Sequence, residues 1–130
     1  MSFFSVLVAA AAGYALGAVW YMLLSRQWIA AAGVACDEAG KPLNRSATPF
    51  ILSAIAMLLV AGMMRHVFGM TGIHGFGSGL VAGFGLGAFV AAPWIVINYA
   101  YAGRPRALTF IDGGYAVLGS AVIGAVLGLF

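Results

Sequence analysis

Asn98 and Asp112 are the residues of this chain best placed for chemistry, because each stands seven positions from Pro105, one before a basic turn and one after it. If Gly103 to Arg106 reverses the chain, the two meet at one depth, about 7 Å inside each helix end at 1.5 Å per residue. A carboxylate at membrane depth is costly and marks a functional candidate. Asp112 also stands in the first two turns of its helix, where the dipole favours an anion, and Arg104 and Arg106 are near enough to pair with it. These four residues form one candidate polar cluster, read first as a structural clamp and second as a contact for a ligand or ion. Other candidates are weaker. Asp37 and Glu38 are neighbours, and adjacent helical residues do not share a face, so a solvated loop is expected. His66 and His74 flank Gly69 to Gly72, but no Cys, Asp or Glu accompanies them. No metal site is expected, and Arg65 and His66 are read as reaching into lipid headgroups. No cofactor and no catalytic residue is expected either, since no nucleophile and base converge at one depth.

The elements that position this cluster are hydrophobic. Of 130 residues, 64% are hydrophobic and 7% charged, and the mean hydropathy is +1.07, whereas soluble domains carry about a quarter charged residues. The composition predicts an all-α, polytopic membrane protein: a small-residue packed bundle of four transmembrane helices at about 3–24, 49–68, 76–101 and 108–130. A polar loop, 25–47, separates the first two, and 1–130 form one transmembrane domain. Met1 to Phe4 holds no basic residue, which argues against a secretory signal. Thr48 is expected to cap the second helix, with Pro49 at its first position. Pro93 is expected to bend the third. The net charge of +3 reads as topology, not as a nucleic-acid surface. Arg26, Lys41, Arg45, Arg104 and Arg106 fall on one side and Arg65 on the other. The positive-inside rule then places loops 25–47 and 103–106 in the cytoplasm and both termini outside.

Small residues dominate the helix faces. Gly75, Gly79, Gly83 and Gly87 recur at every fourth position, Ser120, Gly124 and Gly128 follow suit, and Gly13 and Gly17 form a GxxxG pair. Such glycine-zipper rows are flat surfaces for close packing in lipid. Trp20, Tyr21, Trp28, Tyr99, Tyr101 and Tyr115 lie near span ends, where an interfacial aromatic belt is expected.

Two stretches carry a family resemblance: Gly17-Ala18-Val19-Trp20-Tyr21 with Trp28, and Asn98-Tyr99 with Arg104 and Leu108-Thr109-Phe110-Ile111-Asp112-Gly113-Gly114-Tyr115. They resemble a bacterial family of small integral membrane proteins known only as a domain of unknown function, number seventeen sixty-one. The resemblance implies a four-helix membrane fold and supplies no activity. Together these readings predict a protein without catalytic activity that acts through helix packing, as a homo-oligomer or as an accessory subunit of another membrane protein complex, with the lipid bilayer as its surroundings. The alternative is a small channel or transporter with a polar site near Asn98 and Asp112.

Overall fold

The computed structural model describes residues 3–44 and 46–130, so Arg45 lies outside the described residues. Helix α1 is Phe3–Leu23, α2 Ser25–Ala32 and α3 Thr48–Thr71; α4, Phe76–Leu86, runs through a π turn, Gly87–Ala91, into α5, Ala92–Tyr101; α6 is Arg106–Gly128. Four spans, with α4 to α5 counted as one, are long and apolar enough to cross a membrane. Among the described residues the only extended pairing is an isolated antiparallel bridge, Cys36 with Pro42.

The expected loop 25–47 is therefore helical over its first third. The chain kinks at Leu24 and α2 continues to Gly33, whose φ of 70° terminates it. Thr48 is not a side-chain cap: α3 already begins there, with Ala47 before it. Ser46 Oγ instead accepts the Thr48 N–H at 3.1 Å. At its far end α3 outruns the expected 68 and stops at Gly72, with φ of 72°. Residue 72 needs glycine because that left-handed conformation strains any residue with a Cβ.

Helix α6 is the hub, packing against every other helix in the bundle. Its tightest neighbour is α4. A Cβ on Gly79 would collide with the carbonyl oxygen of Gly124, one on Gly83 with that of Ser120, and one on Gly87 would lie 2.6 Å from the Val117 Cα. The two small-residue rows thus face each other, backbone against backbone, in antiparallel register. Gly75 precedes α4 with φ of 95°, and its N–H donates to the Gly128 carbonyl at 2.9 Å. The pair in α1 works differently, receiving side chains: a Cβ on Gly13 would meet Ile123 at 2.8 Å, and one on Gly17 the Tyr115 hydroxyl at 2.6 Å.

Burial on α3 is lopsided. Ala61, Met64 and Phe68 are buried, and they pack with Val6, Ala9, Ala10, Ile123 and Leu127. Nothing from Thr48 to Val60 is buried. The first half of α3 therefore stands away from α6, and α3 forms no packed interface with α4 or α5. A core closes the end of the bundle near the termini, and a cleft opens at the other.

Pro93 leaves its mark as the π turn just before it. Proline has no N–H for the carbonyl four residues back, and a π turn is one way a helix absorbs such a defect. The turn has a rotational consequence. Residues four apart advance about 40° per step around an α-helix, and one extra residue in a turn returns about 100°. From Gly87 to Tyr99 the net drift falls to about 20°, so Ala91, Ile95 and Tyr99 stay on the inner side.

The seam makes a contrast between two glycines of one helix. Gly83→Ala should lower stability in mixed-micelle denaturation by about 1–3 kcal/mol or more. At Gly85 nothing lies within 4 Å of an added Cβ, so Gly85→Ala should be neutral or stabilising by up to about 1 kcal/mol.

Candidate functional site

The site is built where α1 ends on the opening turns of α6. Two consecutive residues of α1 hold two consecutive residues of α6. Trp20 Nε1 donates to the Ile111 carbonyl at 2.9 Å, and the Tyr21 hydroxyl donates to Asp112 Oδ1 at 2.6 Å. From α5 the Tyr99 hydroxyl donates to Asp112 Oδ2. Each carboxylate oxygen thus has one hydroxyl donor, and about half of its acceptor capacity is left. One turn further along α6, the Tyr115 hydroxyl donates to the Gly13 carbonyl at 2.9 Å and lies 3.5 Å from Met57 Sδ.

The rings are set by edges and faces. Tyr21 is edge-on to Tyr115, with centroids 5.5 Å apart at 81°, and edge-on to Trp28 of α2, at 6.2 Å and 81°. Perpendicular pairs at such distances are favourable beyond their buried area. Glycine again makes room: a Cβ at Gly114 would stand 2.9 Å from the Trp20 ring.

This cluster closes one end of a cleft of about 770 Å³. α6 forms its floor, with Asp112, Ala116 and Ser120; the first half of α3 and the face of α5 are its walls; Trp28, Ile29 and Pro42 cover the end. Among the described residues no lysine, arginine or histidine lines it. Ser53, on the α3 wall, has its hydroxyl turned to the Pro49 carbonyl at 2.7 Å. α3 and α5 form no packed interface, and the cleft lies between them.

The expected constellation is thus corrected in three of its four members. Asn98 is exposed, and the hydrogen-bond partners of Asp112 are the tyrosines. Equal depth in a hairpin did not bring Asn98 inward, because Tyr99, 100° further round the helix, takes the inner position. Arg104 does not pair with Asp112 either: its Nη2 donates to the Ala32 carbonyl at 2.7 Å, at the end of α2. Arg106 is exposed at the start of α6. The belt reading fails for Tyr21, Tyr99, Tyr115 and Trp20, whose polar ends all bond inside the protein. Tyr101 is 92% exposed. Arg65 is also corrected. Its Nη1 donates to the Leu127 carbonyl at 3.1 Å in the last turn of α6, a carbonyl that also accepts the Phe130 N–H at 3.2 Å. His66 and His74 are both exposed. Asp37 holds a turn, its carboxylate accepting the N–H groups of Ala39 at 2.9 Å and Lys41 at 3.0 Å.

Sequence reasoning missed the pairing of Tyr21 with Asp112 and the part played by Met57. A signal for the first was present in Gly113-Gly114. Two glycines inside a helix cost about 1 kcal/mol each; the Trp20 ring explains Gly114, whereas an added Cβ at Gly113 would meet nothing within 4 Å.

Fold and site together define a multi-pass membrane protein with one acidic group held inside a bundle of four spans. The family model described as "Protein of unknown function (DUF1761)" matches residues 4–128, and the chain belongs to that family. No curated protein and no solved structure matches it.

Removing one hydroxyl tests the carboxylate's support. Tyr21→Phe should lower unfolding stability by about 1.5–3 kcal/mol, the range for a hydrogen bond to a charged group. Tyr101→Phe should change it by roughly nothing. Equal effects in the same denaturation series would make the Tyr21 contact incidental.

Proposed function

We propose that this protein is a non-catalytic, ligand-binding membrane protein of the small-transporter class, which takes a small amphipathic molecule from the bilayer into the cleft above Asp112. One observation carries the reading. The bundle leaves about 770 Å³ open beside its one intramembrane carboxylate, although a chain of this size has every reason to close its packing. Ligand sites are characteristically apolar concavities with a few convergent polar groups, often between helices. The mutual burial of the glycine rows supports this choice over action by packing alone, because Gly79, Gly83 and Gly87 are turned onto α6 and offer no flat face to another subunit.

In the same proposal the protein sits in the bacterial inner membrane with loops 25–47 and 103–106 in the cytoplasm. The hydrogen bond from Arg104 to Ala32 joins those two loops at one end of the bundle, together with Arg26, Lys41 and Arg106, and the excess of basic residues favours the cytoplasmic side.

Two experiments test these statements. Protein purified in native-lipid nanodiscs should release a stoichiometric small molecule on organic extraction, and Ile95→Trp, which fills the cleft wall, should release none. A folded wild-type protein without any extractable molecule would contradict the reading. For topology, Cys36 is the sole and free cysteine. A membrane-impermeant maleimide should label it in inside-out vesicles and leave it unlabelled in intact cells.

A further inference from the structure

The electrostatics of the cleft narrow the ligand to one chemical class. Resting on the reading of the cleft as a ligand site, we propose that its occupant is a lipophilic monocation with an ammonium group, which docks on Asp112 between aromatic rings. Three features converge on this. Asp112 is the only acidic residue within the four spans, the other two being Asp37 and Glu38 in the loop. No basic side chain among the described lining residues offsets it; of the two arginines that precede it in the hairpin, Arg104 is engaged at Ala32 and Arg106 is exposed. An ionised carboxylate in an apolar surround is expensive without a counter-charge, and an incoming cation supplies one.

The second feature is unused acceptor capacity. The tyrosine hydroxyls occupy one acceptor position on each oxygen, so the carboxylate can still accept N–H donors from the cleft side. The third is the arrangement of rings. Tyr21 stands perpendicular to both Tyr115 and Trp28, and all three line the cleft. Ring faces at right angles around an anion form a corner suited to a cation, since the face of an aromatic ring carries negative charge density. The hydroxyl of Tyr21 is turned toward Asp112, and the residue is part of the cleft lining. An anionic ligand would meet like charge, and a neutral one would leave the carboxylate unpaired. The rest of the wall, with Met57, Val60 and Ile95, accepts the apolar body of the molecule.

The test uses three probes of nearly one shape: a naphthylmethylammonium ion, its neutral N-acetyl amide, and the naphthylacetate anion. Binding to the full chain in nanodiscs is read from the quenching of tryptophan fluorescence. The ammonium ion should bind at least about tenfold more tightly than the amide, and the anion most weakly. Asp112→Asn should remove that advantage while amide binding persists. If the ammonium ion and the amide bind wild-type protein equally, the cationic class is wrong although the cleft still binds ligands. If none of the three binds, and Ile95→Trp changes nothing in extracted material, the cleft reading itself falls. Should Asp112→Asn fail to fold, the comparison of ammonium with amide on wild-type protein decides alone. Discs with and without phosphatidylethanolamine separate the sources of the ammonium group: no competition by that lipid is expected for a free amine, whereas competition would assign the site to a zwitterionic headgroup and overturn the monocation.

Discussion

Contact of two helix backbones along Gly79, Gly83 and Gly87 is the constraint on which the rest of the molecule depends. In lipid there is little hydrophobic gain from bringing helices together, so close van der Waals fit decides which pairs form. Here the fit is so close that no Cβ is tolerated on the α4 side. One face of α6 is spent on that seam. α1 takes another, through Ile123 and Tyr115 seated at Gly13 and Gly17, and α3 buries residues only near its own end, at Ala61 to Phe68, with Met57 reaching Tyr115 before them. The cleft lies where this division leaves room, beside the first half of α3, none of whose residues from Thr48 to Val60 is buried.

The same seam explains why Asp112 is supported by tyrosines and not by arginines. It fixes α5 beyond the π turn at an angle that brings Tyr99 inward, while α1, held by its glycine pair, delivers Trp20 and Tyr21 to adjacent positions of α6. Arg104 leaves the hairpin to close the end of α2. The acidic group thus remains inside the bundle with neutral donors, and it lines the cleft.

Much of the fold was legible in the sequence, because the terms that dictate it are periodic. Four apolar runs of membrane length and the rows of glycine four apart need no tertiary information to be seen. Spacing reveals that a face is flat and not which face it meets, so the pairing of the Gly79 row with the Gly124 row was open until the register was known. The site was less legible. An aromatic residue that belongs to a membrane interface and one that surrounds a carboxylate occupy the same depth, and depth was all that Tyr21, Tyr99 and Tyr115 revealed. Asn98 was preferred to Tyr99 on the same ground, whereas azimuth, reset by the π turn, decides between them. The short helix α2 escaped notice because Ser25, Arg26 and Gln27 read as a polar loop.

The central claim, a bundle closed by a glycine seam at one end and open to lipid beside Asp112 at the other, is tested most directly by photolabelling with a trifluoromethyl aryl diazirine dissolved in the bilayer. Peptide mapping of α6 should find label on the cleft side, between Asp112 and Ile123, and none at Gly124 to Gly128, which the seam covers. Absence of label along the whole of α6 would describe a closed four-helix bundle and contradict the account.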